Sequence, residues 1–305
     1  ARPHAPDWVL ALGGGAAIDL GKAVAALLPG PGPALDHLEV VGRGLPLAAD
    51  PLPFLALPTT AGTGAEVTKN AVIGLPDHGR KVSLRDTRMI ARVAIVDPAL
   101  SDGCPRAITL ASGLDALAQV IEPFVSCRAT PYTDALTRGA IAPCLRALMQ
   151  LMDGEDAPAR DVMAWSSLSG GLALANGGLG AVHGLAGVIG GRTGAAHGAI
   201  CGALLGPALE INRARTTGPA RAKVEHACHQ LAEALGGAAE TAPRDLAHWA
   251  KRAGLPGLAA MGLRASDHAS VAQAALTASS SAGNPVALAA GDFEEILHLA
   301  EAAGA

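Results

Sequence analysis

The chain has 305 residues, a length that predicts one large domain or two of ordinary size. Half of its residues are hydrophobic and 16% are charged, which excludes a disordered, highly charged chain. A formal net charge of -4 argues against a nucleic-acid-binding protein, because such binding depends on a basic surface. The 5 cysteines form no CxxC pair, which argues against a disulfide framework and indicates a reducing, cytoplasmic compartment.

The segments up to residue 104 predict an α/β unit. A helix is predicted over 16–28, and a hairpin over 72–84 with its turn at 76–79. The predicted buried strands are short apolar runs that end at glycine, proline or Asp-Pro, at 8–12, 54–57 and 93–96.

Residues 105–305 predict an all-helical unit. The Ala/Leu-rich segments that favour helices lie at 109–126, 131–152, 160–187, 197–213, 218–236, 241–253, 267–280 and 291–303. Residues 162–191 carry no Asp, Glu, Lys or Arg and are long enough to span a bilayer. Serine, asparagine, histidine and glycine interrupt this stretch, so we predict a buried helix and loop rather than a membrane helix.

Two loops follow predicted strands and could bind a phosphate or a sugar. Gly13, Gly14 and Gly15 open the helix that carries Asp19, and backbone N–H groups at such a helix start attract anions. Residues 58–68 form a loop rich in threonine and glycine that could hydrogen-bond a ribose or pyrophosphate. Each loop, taken alone, is equally well explained as an ordinary turn.

Asp115, His183 and His197 form a dispersed set of candidate metal ligands. Asp115 and Gln119 are four residues apart on a predicted helix and share one face. We place His183 near the end of an apolar helix and His197 after a loop at 190–194. A carboxylate with two imidazoles is a familiar ligand set for Zn²⁺ or Fe²⁺, although a histidine in an apolar helix often only packs. No partner is predicted for His268 or His298.

Together these motifs resemble the iron-containing (group III) alcohol dehydrogenase family. Residues 13–22 resemble its GGGSxxDxxK phosphate loop, with Ala16 in place of serine, and PTTAGTGAEVT at 58–68 is very close to its signature. Residues 113–117 look like its first metal-ligand helix. His183 and His197, each followed by glycine, resemble its second ligand pattern.

The resemblance implies a dehydroquinate synthase-like fold. Residues 1–104 would form a dinucleotide-binding α/β domain, and residues 105–305 an all-α metal and substrate domain. It also implies NAD or NADP and a divalent ion, Fe²⁺ or Zn²⁺, held by Asp115, His183 and His197. The implied cofactor-binding residues are Gly13, Gly14, Gly15, Asp19, Thr59, Thr60, Thr63 and Lys81.

The implied activity is reversible hydride transfer by a metal-dependent NAD(P)-linked alcohol dehydrogenase or aldehyde reductase. Asp115, His183, His197 and Gln119 would be its catalytic residues. The implied partners are a small alcohol or aldehyde and further copies of the chain, with no nucleic acid and no membrane.

The chain departs from the family pattern in three ways. Gln119 stands where the typical member has a histidine ligand, which predicts a weaker metal site. Gly187 stands where many members carry a histidine that can move a proton. Family members usually have more elements ahead of the glycine loop, so we expect the sequence to be a fragment with a truncated cofactor domain.

Three other interpretations stay open. A maleylacetate-reductase-like enzyme would work without a metal, although Asp115 argues against it. A non-catalytic relative would bind cofactor weakly. A lyase similar to dehydroquinate synthase would need a basic cluster for a phosphorylated substrate, and only Arg192 lies near the predicted ligands.

Overall fold

A three-stranded parallel sheet forms the centre of the N-terminal part of the computed structural model, which describes residues 2–78 and 80–304. The strands in chain order are β1 (Val9–Gly13), β2 (Phe54–Pro58), β3 (Asn70–Leu75), β4 (Arg80–Arg85) and β5 (Val93–Ala94). The sheet has the order β1-β2-β5, so both β1 and β2 direct their carboxyl ends to one edge. β5 is shorter than the strand predicted at 93–96.

Helix α1 (Gly15–Leu27) follows β1 directly and covers one face of the sheet. Its Ile18 and Ala25 pack with Ala11, Phe54 and Ala56 in a small aliphatic core. The hairpin of β3 and β4 packs against the other side of α1 and confirms the predicted hairpin. Gly79 at its turn lies outside the described residues.

Helices make up almost all of the rest of the described chain. They are α2 (Arg106–Val125), α3 (Pro131–Thr137), α4 (Ile141–Asp153), α5 (Ala157–Gly177), α6 (Ala181–Thr193), α7 (His197–Arg215), α8 (Gly218–Leu235), α9 (Ala242–Arg252), α10 (His268–Leu276) and α11 (Ala290–Gly304). α2 is buried along most of its length and packs against α4, α5 and α7. This central helix fixes the positions of the elements around the site.

Two predicted long helices are each divided in two. The helix predicted over 131–152 breaks before α4, because the ring of Pro143 in a continuous helix would clash with the carbonyl of Gly139. The helix predicted over 160–187 ends at Gly177, where Gly178 adopts φ 74°. α5 and α6 therefore meet at 99° rather than running on.

The prediction that His183 lies near the end of a helix is wrong. His183 is the third residue of α6, not a residue near the end of the preceding helix. Most of the loop predicted at 190–194 is helical, because α6 continues to Thr193 and ends at Gly194 with φ 72°. Only residues 194–196 separate α6 from α7, so the connection between the two histidine-bearing helices is tighter than predicted.

Among the described residues, α2 alone is by itself long and apolar enough to cross a membrane. However, 83% of its most apolar window is buried within the protein, as in a core helix. α5 and α6 pass the same test only as a bent pair. These features are weak evidence for a membrane span.

Candidate active site

Four side chains that can bind a metal ion meet where α2, α6 and α7 come together. Asp115 lies on α2 and His183 on α6, while His197 and Cys201 lie one turn apart on α7. One donor atom from each lies within 4.8 Å of the donors of the other three. The structure thus brings together the three predicted ligands and adds a thiol.

Asp115 Oδ1 lies between the two imidazoles. It is 3.3 Å from His183 Nε2 and 3.9 Å from His197 Nε2. This oxygen is buried and has no partner in hydrogen-bond geometry within the described residues. Metal–ligand bonds of about 2.0–2.1 Å place neighbouring ligands of a tetrahedral ion about 3.3 Å apart. The donor set therefore fits one divalent ion, which would satisfy the buried oxygen.

Cys201 is a candidate ligand that the sequence analysis missed. It is fully buried, and its Sγ lies 3.6 Å from His197 Nε2. Burial raises the pKa of this thiol to about 12, so without a metal ion it stays protonated. The signal for Cys201 was its position four residues after His197, because such residues share one face of a helix.

Glu122 is a second missed residue, and it orients His183. Its Oε2 lies 2.6 Å from His183 Nδ1, and its Oε1 accepts a hydrogen bond from the backbone N–H of Val182 at 2.8 Å. If a metal ion were bound to Nε2, the remaining ring proton on Nδ1 would be held by Glu122. Glu122 follows Asp115 by two helical turns, so helical spacing could have identified it.

The charges of the cluster favour different states of the two imidazoles. Burial disfavours ionisation of Asp115, but His197 and His183 outweigh it and hold the pKa of the carboxyl below its usual range. Burial also opposes protonation of His183, yet Cys201, Asp115 and Glu122 raise its pKa well above the ordinary value. Burial lowers the pKa of His197, which therefore keeps a neutral ring. A neutral imidazole is the form that binds a metal ion.

Gln119 links this cluster to the threonine-rich loop. Its Nε2 donates to the backbone oxygen of Gly62 at 3.0 Å. Its Oε1 is buried and has no hydrogen-bond partner among the described residues. The amide nitrogen thus anchors the loop, while the carbonyl oxygen remains available to a water molecule, a substrate or an ion.

The glycine-rich and threonine-rich loops touch each other. A Cβ atom on Gly15 would lie 2.7 Å from Thr63 Oγ1, and one on Gly14 would lie 3.2 Å from Thr60 Oγ1. Any side chain at Gly15 would therefore displace Thr63. The hydroxyl groups of Thr60 and Thr63 lie beside the backbone of Gly14 and Gly15, which carry no side chains.

The start of α1 has the features of an anion site. The carbonyl of Gly13, which has φ 153°, accepts a hydrogen bond from Thr59 N–H at 3.0 Å. Gly14 precedes the helix without a side-chain cap, and the first turn carries no acidic side chain. Backbone N–H groups and the helix dipole at such a start attract a phosphate group.

Asp19 joins α1 to the hairpin. Its Oδ2 accepts a hydrogen bond from Val72 N–H at 3.0 Å, and its Oδ1 lies 3.4 Å from Lys22 Nζ. Lys22 is 1% exposed and also donates to Thr68 Oγ1 at 3.0 Å. Lys22 thus holds the end of the threonine-rich loop, whereas Asp19 holds the hairpin.

Lys81 lies close to α6, the helix that carries both His183 and Gly187. Lys81 Nζ is 3.4 Å from the place where a Cβ atom on Gly190 would stand, and its charge contributes to the lowered pKa of His197. Gly187 lies one turn after His183, and a Cβ atom there would meet nothing within 4 Å. Among the described residues, open space therefore borders α6 at the position of Gly187.

Family models match both parts of the chain. The model for iron-containing alcohol dehydrogenase matches residues 1–98, and the model for the C-terminal part of the Fe-containing alcohol dehydrogenase family matches residues 109–301.

Curated relatives are alcohol dehydrogenases and reductases by name. The probable alcohol dehydrogenase EutG of Escherichia coli K12 is 38% identical over 213 residues, which are 70% of this chain. The chain spans about half the length of EutG (53%). The NAD-dependent methanol dehydrogenase of Bacillus methanolicus is 34% identical over 301 residues, 95% of this chain and 76% of that protein.

Solved structures show the same fold. A 1,3-propanediol oxidoreductase superimposes with a TM-score of 0.87 at 29% identity, covering 98% of this chain and 78% of its own. A sulfoacetaldehyde reductase from Bifidobacterium kashiwanohense in complex with NAD⁺ gives 0.83 at 26% identity, with 98% and 77% coverage. These similarities confirm the predicted fold class of an α/β part followed by a helical part. On the matches to both family models, the chain belongs to the iron-containing alcohol dehydrogenase family.

Proposed function

We propose that the chain acts as a metal-dependent, NAD(P)-linked alcohol dehydrogenase or aldehyde reductase. The observation that carries this proposal is the meeting of donor atoms from Asp115, His183 and His197 around a buried, unpartnered carboxylate oxygen. Gln119 connects this cluster to the loop that touches the glycine-rich turn. Hydride transfer requires the cofactor to lie close to the groups that activate the substrate.

The cofactor half of the site is assigned to residues 1–104, with its phosphate contacts in the two loops. Gly13, Gly14 and Gly15 leave the start of α1 open to a pyrophosphate, and Thr60 and Thr63 place hydroxyl groups beside it. We assign Thr59 and Lys81 to the same half, Lys81 toward the nicotinamide ribose. We assign Asp19 to the same half, where it ties α1 to β3.

The metal half is assigned to residues 105–305. Asp115, His183 and His197 would hold the ion, with Cys201 as a fourth donor. A divalent ion bound there would supply Lewis acidity to an alcohol or carbonyl oxygen. Glu122 fixes the ring of His183 in a ligating orientation, and Gln119 offers a buried carbonyl oxygen to bind substrate or water.

The reaction moves a hydride between the alcohol carbon and the nicotinamide C4 position and releases one proton on oxidation. Gly187 has no side chain to carry that proton, so we assign its exit to water in the open space beside α6. The neighbouring His197 is the more exposed imidazole, with 36% of its side chain accessible. Proton release through water predicts slower turnover than in a member with a histidine at this position.

The substrate we propose is a small or medium primary alcohol or its aldehyde. The sequence contains 7 aromatic residues (3 Phe, 3 Trp and 1 Tyr), which disfavours recognition of a ring by stacking. Relatives named for methanol, lactaldehyde and 1,3-propanediol support a small substrate. The five cysteines are free, which supports a reducing, cytoplasmic environment, and we expect a homo-oligomer.

Metal content and turnover of the chain and of Asp115→Asn test the proposal. We expect about one Fe or Zn per wild-type chain after purification without chelator. We also expect reduction of NAD⁺ or NADP⁺ with a panel of small primary alcohols. The variant should lose the ion held by Asp115, His183 and His197 and at least about 100-fold of the rate, because Lewis-acid stabilisation contributes several kcal/mol. Asp161→Asn, an exposed carboxylate on α5, is the matched control.

Two results would replace the proposal. Wild type that stays free of metal after addition of Fe²⁺ or Zn²⁺, yet reduces maleylacetate, would establish the metal-independent reductase. Wild type that binds the metal and the cofactor but oxidises none of the alcohols would point to a non-catalytic relative.

A further inference from the structure

A second set of metal-binding side chains lies where α10 meets α11. His268 is the first residue of α10, while His298 and Glu301 lie three residues apart on α11 and share one face. One donor atom from each residue lies within 4.8 Å of the donors of the other two. None of these residues belongs to the candidate active site.

His268 is buried without satisfying its ring nitrogens. It is 2% exposed, and neither nitrogen has a hydrogen-bond partner among the described residues. Its Nε2 does lie 3.2 Å from Glu301 Oε1, but outside the directions that a hydrogen bond requires. A buried polar ring without a partner is costly, so this contact calls for another explanation.

The spacing of the three side chains fits ligands of one ion. Zinc bonds of about 2.0–2.2 Å to nitrogen and carboxylate oxygen place two tetrahedral ligands about 3.3 Å apart. The separation of His268 Nε2 and Glu301 Oε1 is 3.2 Å, and the rings of His268 and His298 are 5.0 Å apart between centroids. Two ligands of one ion can lie this close together although neither donates a hydrogen bond to the other.

We propose that His268, His298 and Glu301 bind a Zn²⁺ ion that joins α10 to α11. Two imidazole nitrogens and one carboxylate oxygen suit this ion, whereas Mg²⁺ and Ca²⁺ require oxygen ligands. His298 is exposed, so the ion has a path from solvent and a water molecule can complete its coordination. Binding of the ion breaks no covalent bond in the protein and leaves the oxidation state of the ion unchanged.

The position of this site gives the ion a structural role. α10 packs against α6 and α11 packs against α7, the helices that carry His183 and His197. An ion that binds only the folded chain raises its stability in proportion to the logarithm of ion concentration over Kd. Zn²⁺ at this site would therefore stiffen the layer behind the two histidine ligands.

The test is a Zn²⁺ titration of chelator-free protein, followed by calorimetry and by native mass spectrometry. The chains compared are wild type, His298→Ala, Glu301→Gln, Asp115→Asn and the control His248→Ala, which removes an exposed histidine on α9. His298 is chosen over buried His268 because its loss leaves the core intact. Glu301→Gln keeps the shape of the side chain but removes the anionic ligand.

We expect two Zn²⁺ ions in wild type and in the control, and one in each of the other variants. Loss of a direct ligand should weaken the second site by more than the about 10- to 100-fold typical of an outer-shell partner. Zn²⁺ should raise the Tm of Asp115→Asn, but not the Tm of Asp115→Asn/His298→Ala.

The named outcomes separate this inference from the proposed function. One ion in wild type that Asp115→Asn loses and His298→Ala keeps overturns the second site and leaves His268 and Glu301 an ordinary ion pair. One ion that His298→Ala loses and Asp115→Asn keeps supports the second site and contradicts the metal centre at Asp115.

Discussion

Cys201 gives the candidate metal centre a kind of donor that Gln119 cannot. A glutamine carbonyl is a weak ligand for Zn²⁺ or Fe²⁺, whereas a thiolate is a strong and soft one. Cys201 lies within the same donor cluster as Asp115, His183 and His197, and its sulfur is shielded from solvent. A centre with a sulfur ligand should favour Zn²⁺ or Co²⁺ over Fe²⁺.

Cys201→Ser tests this role of the thiol. The Co²⁺-loaded chain should show a sulfur-to-metal charge-transfer band in the near ultraviolet, and the variant should lose it. Affinity for Zn²⁺ should fall at least about tenfold. Cys144→Ser on α4, equally buried, should keep both properties. An unchanged spectrum in Cys201→Ser would mean that Cys201 only fills space.

The sequence analysis named more of the candidate ligands than of the residues that support them. Asp115, His183 and His197 were predicted because their residue types fit a metal site and resembled a family pattern. Glu122 and Cys201 share helix faces with these ligands, so helical spacing alone could have added them. The contact of Asn284 could not be predicted from local sequence, because its Oδ1 accepts a hydrogen bond from Ala181 N–H at the start of α6, 103 residues away.

At the scale of elements, the helical character of residues 105–305 followed from the sequence pattern, whereas the division into separate helices and their ends depended on single residues. The division at Gly178 was missed because an apolar run continues on both sides of it. The sharp turn there places His183 at the start of a new helix facing α2. Periodicity cannot show such a change of direction, because it measures only which side of one helix is buried.

Glu225 joins α8 to α7 and gives the helical layer a dependence on pH. It accepts hydrogen bonds from Arg213 Nε at 3.0 Å and Arg221 Nε at 2.6 Å. Burial opposes its ionisation, but the two guanidinium groups outweigh it and lower its pKa. The stabilisation is therefore complete above the unfolded-state pKa of about 4.3 and is lost as pH falls through the lower folded-state pKa.

Glu225→Gln should reduce this dependence. We expect the variant to lose up to about 1 kcal/mol of unfolding free energy near neutral pH, because the pair is partly exposed. The loss should shrink as the pH falls below the unfolded-state pKa of about 4.3 and wild-type Glu225 becomes protonated. Urea unfolding across this range gives the measurement, with Asp161→Asn as control. A difference that is constant across pH would assign the effect to packing.

At the scale of the whole molecule, the parallel sheet is covered on one face only. α1 buries the face that carries Ala11 and Ala56. Leu10, Leu12 and Val93 lie on the opposite face, where they are 44–56% exposed within the described residues. Parallel sheets normally have both faces covered, so we expect this exposed apolar face to promote self-association.

The double variant Leu10→Glu/Leu12→Glu should reduce self-association of the chain. We expect lower binding of a hydrophobic dye and less self-association in sedimentation velocity, while the far-ultraviolet spectrum stays unchanged. Ile108→Glu replaces an equally exposed aliphatic residue on α2 and should have little effect. Equal dye binding and equal self-association of the two variants would show that the sheet face is not the surface responsible.

The hydrogen bond from Gln119 to Gly62 links the proposed cofactor half of the site to the proposed metal half. The bond holds the loop that touches the glycine-rich turn to the helix that carries Asp115. If nucleotide binding shifts that loop, it alters the affinity for the ion by some factor. The ion must then alter the affinity for the nucleotide by the same factor. The order in which the ion and the nucleotide bind would thus affect only the kinetics. The total free energy of binding both would be the same for either order.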